Sequence, residues 1–238
     1  MQALILAGGK GVRLRPYTAV LPKPLMPIGD IPILEIILRQ LKNQGVTSVI
    51  IAVGYLHHMI EAYFKDGSNH GVSINYSLEE KPLGTAGPID LVMDQLEEDF
   101  LVLNGDLLTS ISYRNLYDSH IKNNAAATIA TFKRTVDIDF GVLELEENSQ
   151  LKNYNEKPSF DYRVSMGINV FNKSSIKSLI KHDEYLDIPD LMMHLKTKKQ
   201  KVFCYQEECE WLDIGRLEDY NVAVDTFEKK KNIFLPDH

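Results

Sequence analysis

Cysteine is scarce in this chain: Cys204 and Cys209 are the two thiols in 238 residues. Their spacing fits neither a metal-binding nor a redox motif, which excludes a disulfide framework and a thiolate-held metal. They read as reduced thiols of a cytoplasmic protein. Long apolar runs are missing too, and none approaches the ~20 residues that cross a bilayer, so no membrane role is expected. The first strand begins at the N-terminus, which leaves no room for a signal peptide. Positive charge is short. The chain has 26 Lys and Arg against 33 Asp and Glu, a formal net charge of −7. Broad nucleic-acid binding needs clustered cations and is not expected. The lysine-rich pieces at 196–201 and 229–231 lack interleaved aromatics and read as solvated helix ends. No internal repeat, low-complexity tract or linker is visible.

Apolar residues make up 44% of the chain and charged residues 25%, the balance of an ordinary globular protein. The length suits one domain over residues 1–238, with room for a small lobe. The most informative stretch, Leu6 to Pro27, reads LAGGKGVRLRPYTAVLPKPLMP. A buried strand, Ala3 to Leu6, leads into Gly8, Gly9 and Gly11. Three cations accompany them: Lys10, Arg13 and Lys23. Glycines let a backbone approach a ligand and aim its N–H groups at it. Fixed cations beside them suit a nucleoside triphosphate. The common phosphate loops do not fit. There is no Gly-Lys-Ser/Thr ending, and Leu14 stands where a dinucleotide fingerprint needs its third glycine.

Strand and helix signals alternate along the first half. Ile33, Leu34, Ile37, Leu38 and Leu41 recur at helical spacing, and Gly45 suits the helix stop. Residues 48–53 and 72–77 read as strands and 57–64 as a short helix. A helix is predicted over 85–96, with Thr85 as its N-cap. Residues 100–103 read as a fourth strand. The second half is less regular. Strands are predicted over 126–132, 142–145 and 164–171, and helices over 174–180, 188–195 and 217–230. This order implies right-handed βαβ units, a mostly parallel sheet and an added mixed-sheet lobe.

Two carboxylates lie where chemistry is expected. Ligands of open α/β sheets collect beyond the carboxyl ends of the strands, and Asp106 leaves the fourth strand there. A carboxylate at that place suits Mg²⁺, although turns also favour aspartate for local reasons. Asp213, in Trp211-Leu212-Asp213-Ile214-Gly215, either completes a metal pair with Asp106 or caps the last helix. His57 and His58 precede Glu61 on one helix, with no third ligand evident.

The glycine string, with Arg13 and the Pro22-Lys23-Pro24 clamp, resembles the signature of the sugar-1-phosphate nucleotidylyltransferases. The likeness extends along nearly the whole chain, through residues 79–87, Phe140-Gly141-Val142, Glu156-Lys157-Pro158, residues 167–171 and the string around Asp213. It implies a Rossmann-like, glycosyltransferase-A-like α/β/α sandwich. Residues up to about 110 would be the nucleotide-binding half, and the remainder the sugar-binding half with a C-terminal helix. The resemblance gives Leu6, Ala7, Gly8, Gly9 and Gly11 to the nucleotide, with Arg13, Lys23, Glu79, Gly84 and Thr85. It makes Arg13, Lys23, Asp106 and Asp213 catalytic, and puts Mg²⁺ on the two aspartates. It gives Gly141, Glu156, Lys157, Ser165 and Asn169 to the sugar phosphate. The family usually has an aromatic where Asn169 stands and often an asparagine where Ser165 stands, which bears on the sugar. Glu79 can accept both donors of a guanine edge, where pyrimidine-using relatives tend to carry glutamine. This Glu79 branch looks like that of the mannose-1-phosphate guanylyltransferases and of bacterial enzymes that activate sugars for surface glycans. UTP or dTTP with glucose 1-phosphate is a second pairing, and a silent nucleotide-sugar sensor a third reading. A homodimer is expected from the resemblance alone. Hexapeptide repeats are absent, so no second activity is expected.

Overall fold

A computed structural model describes residues 1–236. The chain opens on β1 (Gln2–Ala7), as its apolar run predicts. A small ladder of β2 (Pro27–Ile28) and β3 (Ile31–Pro32) precedes α1 (Ile33–Asn43). The helix buries Ile33, Leu34, Ile37, Leu38 and Leu41, and Gly45 follows its end at φ +89°. Then come β4 (Ser48–Val53), α2 (His57–Phe64), β5 (Ser73–Leu78), β6 (Asp99–Asn104), β7 (Leu107–Thr109) and α3 (Tyr113–Asn123). The second half runs β8 (Ala127–Asp137), β9 (Val142–Leu145), β10 (Leu151–Asn155), β11 (Ser159–Asn172) and α4 (Lys173–Ile176). It closes with α5 (Ile188–Thr197), β12 (Val202–Gln206), β13 (Trp211–Asp213) and α6 (Leu217–Phe234).

Seven strands form one sheet in the order β12-β8-β11-β6-β1-β4-β5. β6, β1, β4 and β5 run parallel to one another, and β12 is parallel to β8. β11 is antiparallel to both its neighbours. This is the mixed α/β fold with a mostly parallel sheet that the sequence predicts. Both faces are covered, as parallel strands require. Ala3, Ile5 and Ala7 of β1 face the core with α1, α2, α3 and α6. Leu4 turns the other way, toward α4, α5 and a 3-10 helix at Gly87–Gln95. The pleat of one strand thus joins two helical layers.

The lobe is built from the outer parts of β8 and β11 and the separate two-stranded ladder β9–β10. Its strands are longer than predicted because residues 133–137 and 159–163 are exposed ladder, without the apolar pattern that marks a core strand.

Three expectations need correction. The helix over 85–96 is a 3-10 helix, Gly87–Gln95, whose N-cap is Ala86. The helix over 174–180 is one α-turn, Lys173–Ile176, capped by Asn172. The α6 helix continues past its predicted end to Phe234, with a kink at Lys230. The α3 helix had no predicted counterpart: it buries Tyr113, Leu116 and His120 instead of an aliphatic stripe.

Candidate active site

The site begins where β1 ends. The Gly105 N–H donates to the Leu6 carbonyl at 2.9 Å, which holds the turn after β6 against the end of β1. A Cβ on Gly105 would stand 3.1 Å from that oxygen, so a side chain there would need the backbone to give by a few tenths of an ångström. The glycine loop then folds back on itself. Thr18 Oγ1 donates to the Gly11 carbonyl at 2.7 Å. Gly11 has φ +58°, and a Cβ there would sit 3.0 Å from Thr18 Cγ2. Both the left-handed backbone and the space favour glycine. Among the described residues the N–H groups of Gly9, Lys10 and Gly11 have no hydrogen-bond acceptor, which leaves them for a ligand.

Asp106 follows Gly105 directly. Lys23, from the 3-10 turn Lys23–Leu25, forms an ion pair with its Oδ2. Oδ1 is buried and has no hydrogen-bond partner. Asp213 arrives on β13, which pairs with β7 so that Asp213 is opposite Leu107. The Ile214 N–H donates to the Asp106 carbonyl at 3.2 Å. The Asp213 carboxyl titrates above the usual carboxylate range. Burial is the main cause and the Asp106 charge the next, while Lys23 and Arg13 pull it back. All four groups therefore share one local field. Arg13 reaches the same place: a Cβ on Gly215 would lie 3.6 Å from its Nη1. Asp213 is not the cap of the last helix. Asp219 accepts from the N-cap Arg216 N–H at 2.9 Å there.

The Asp106–Asp213 pair has the donors a magnesium ion takes, hard carboxylate oxygens, one of them buried and free. Among the described residues no three His, Cys, Asp or Glu side chains group as a metal site. Water and substrate phosphate would have to complete a magnesium shell, which is usual for this ion. His57 binds Glu61 at 2.9 Å and gathers no third ligand.

Glu79 closes the other side of the glycine loop. Its Oε1 would be 3.9 Å from a Cβ on Gly8. Burial raises the Glu79 carboxyl, and the Leu83 N–H partly offsets this. Gly84 has φ +79°, and a Cβ there would meet the Leu186 carbonyl at 2.5 Å. Thr85 turns its hydroxyl to Asp187, not to the open cleft.

The nucleotidyl transferase family model matches residues 2–230. The chain belongs to this family. A Synechocystis protein named UTP--glucose-1-phosphate uridylyltransferase is 32% identical over 99% of the chain and 66% of its own length. A Yarrowia lipolytica protein named mannose-1-phosphate guanyltransferase is 33% identical over 92% of the chain and 62% of its own length. The chain thus spans less than two thirds of these two relatives. A protein of Aneurinibacillus thermoaerophilus, named D-glycero-alpha-D-manno-heptose 1-phosphate guanylyltransferase, is 32% identical over 94% of the chain and 96% of its length. The crystal structure of HddC from Yersinia pseudotuberculosis superposes with a TM-score of 0.73 at 25% identity, over 95% of this chain and 99% of that one.

Of the residues that the resemblance gives to the sugar phosphate, Gly141 directly precedes β9, Glu156 and Lys157 follow β10, and Ser165 and Asn169 lie on β11. Gly141 packs against the Tyr154 ring across the β9–β10 ladder. Glu156 and Lys157 form an exposed turn, with Lys157 at φ +45°. No hydrogen bond or ion pair among the described residues joins either to Arg13, Lys23, Asp106 or Asp213. Ser165 Oγ accepts from the Gly167 N–H at 3.4 Å, beside a register shift in β11. Asn169 is buried in the sheet, and its Oδ1 has no partner. Sequence reasoning missed Asp187. Its signal was local: an aspartate directly before Ile188-Pro189 at the start of a helix.

Proposed function

We propose that the chain transfers a guanylyl group from GTP to mannose 1-phosphate or a related hexose or heptose 1-phosphate, releasing pyrophosphate. The observation that carries the reading is the meeting of Lys23, Asp106 and Asp213 beside a glycine loop with free N–H groups. Residues to about 110 serve the nucleotide and the later residues the sugar phosphate. Asp106 and Asp213 hold Mg²⁺ in this reading. An ion held there would supply positive charge to the α-phosphate and the departing pyrophosphate.

A sugar-phosphate oxygen attacks the α-phosphorus, and the bond from that phosphorus to the bridging oxygen breaks. The nucleophile is already anionic at neutral pH, so no general base is needed. The chain's task is to bring two anions together. The N–H groups of Gly9 to Gly11 receive phosphate oxygens, and Arg13 and Lys23 offset the charge that develops. Lys157 anchors the incoming phosphate, Glu156 orients ring hydroxyls, and Gly141, Ser165 and Asn169 line the sugar side. Glu79 accepts the N1–H and 2-amino donors of guanine. The heptose guanylyltransferase that matches almost end to end supports this base.

UTP with glucose 1-phosphate is the second reading, favoured by the Synechocystis relative. Incubation with Mg²⁺, each nucleoside triphosphate and a panel of sugar 1-phosphates separates them by pyrophosphate release. GTP with mannose or heptose 1-phosphate should be fastest. UTP with glucose 1-phosphate fastest would replace the base and sugar, and no release from any pair would favour a nucleotide-sugar sensor.

A further inference from the structure

The loop that carries Glu79 is tied to a segment a hundred residues later. Asp187 Oδ1 accepts the Thr85 N–H at 2.9 Å and the Thr85 hydroxyl at 3.0 Å. The Ile188 N–H, the first of α5, donates to the same hydroxyl at 2.8 Å. The Leu186 carbonyl accepts from Ala86 and Gly87 at 2.8 and 3.1 Å, and the Leu186 N–H donates to the Leu83 carbonyl at 2.9 Å. Tyr185 donates its hydroxyl to Asp187 Oδ2 at 2.7 Å, so both carboxylate oxygens are engaged. Glycine permits the close approach, since a Cβ on Gly84 or Gly87 would meet the main-chain oxygen of Leu186 or Glu184 at 2.5 or 2.9 Å. Glu79 stands at the other end of this short loop, where its N–H donates to the Val53 carbonyl at 2.9 Å and its Oε1 would lie 3.9 Å from a Cβ on Gly8.

Thr85 therefore does two jobs with one hydroxyl: it caps a helix distant in sequence and locks its own loop. We propose that Asp187 is a positioning residue that holds the Glu79–Gly87 loop through Thr85 and so sets nucleotide affinity and base choice, a role that rests on the function proposed above. Asp187 touches neither Glu79 nor the glycine loop through any hydrogen bond. Its effect passes through Thr85 and the adjoining Leu186–Leu83 bond, and then along the short backbone between Glu79 and Leu83. A loop released from this clamp keeps its sequence but loses the fixed direction of the Glu79 carboxylate. Preorganisation of this kind acts on binding more than on the chemical step.

The test uses the full chain and whichever triphosphate and sugar phosphate give the fastest pyrophosphate release. Asp187→Ala should raise the triphosphate KM about tenfold or more, with the sugar-phosphate KM and kcat within about twofold. It should also shrink the preference for the best base over the next. Asp187→Asn keeps an oxygen toward Thr85 and should restore most of the affinity. Asp187→Ser, a good helix N-cap too short to reach Thr85, should behave as the alanine variant does and serves if that variant does not fold. Amide exchange at Thr85, Ala86 and Gly87 in Asp187→Ala should quicken about tenfold, with β1 unchanged. An unchanged triphosphate KM, or an equal rise in both KM values, overturns the positioning role. So does unchanged exchange at these three amides. If the parent chain releases no pyrophosphate from any pair, the proposed function fails instead, and the exchange measurement still decides whether Asp187 holds the loop.

Discussion

The Lys23 ammonium binds one oxygen of the Asp106 carboxylate and leaves the other buried with no partner. A buried oxygen without a partner is destabilising until something fills it. Magnesium is the occupant we propose. A metal at ten times its Kd adds about 1.4 kcal/mol to stability. For a chain of this size that corresponds to about 3–6 °C in Tm. Thermal melts in Mg²⁺ and in EDTA should differ by that order for the parent, and Asp106→Asn should abolish the difference. Equal shifts in both proteins would place the ion elsewhere.

Lys23→Ala and Asp106→Ala should each lower turnover about a hundredfold or more, the usual effect of deleting one preorganised charge-stabilising group. Steady-state pyrophosphate release by folded variants measures this. Near-parental turnover in either would remove that residue from the reaction centre.

Asp213 carries a pH signature. Its folded-state pKa is raised, by burial first and by the Asp106 charge second. Between the unfolded value, about 3.9, and the raised folded value, the native state binds more protons than the unfolded chain. Stability from this group therefore falls as pH rises through that window. Asp213→Asn removes the repulsion. Without metal, it should melt above the parent at pH 7, and the gap should close below the ordinary aspartate range. Melting curves across pH give the answer, and a gap independent of pH would contradict the assignment. Turnover of the variant should drop sharply, which separates stability from function at one residue.

Gly11→Ala tests the loop geometry. The new Cβ would stand 3.0 Å from Thr18 Cγ2, at a residue with φ +58°. Strain of about 1–3 kcal/mol is expected. Urea unfolding should show that loss, and nucleotide affinity should fall with it.

Glu79→Gln should weaken GTP more than UTP. A hydrogen bond to a charged group is worth about 1.5–3 kcal/mol, so the GTP KM should rise about tenfold or more. Burial raises the Glu79 pKa, so acid should weaken GTP binding by the parent at a higher pH than an ordinary glutamate would. In this reading the variant loses that pH dependence. Equal effects on both triphosphates would remove Glu79 from base recognition.

Much of the architecture was legible because buried parallel strands are written as apolar runs. Gln2–Ala7, Ser48–Val53 and Asp99–Asn104 needed little more than that pattern. The α3 helix was not legible, because Tyr113 and His120 are buried by its neighbours and carry no helical signature. The outer halves of β8 and β11 were hidden for the opposite reason: exposed ladder has no core side to betray it.

At the site, local chemistry announced the glycine turn, the cations and each aspartate, since a residue's type and its place after a strand constrain what it can bind. Whether Asp213 served a metal or a helix end was open in the string of letters. Pairing of β13 with β7 brought it beside Asp106, while Asp219 accepts the N–H of Arg216 at the start of α6. The partner of Thr85 was equally hidden. Its hydroxyl bonds across a hundred residues of chain, and long-range hydrogen bonds leave no spacing rule to read. Composition and order along the chain specify which groups are available, but packing of distant elements selects which of them meet.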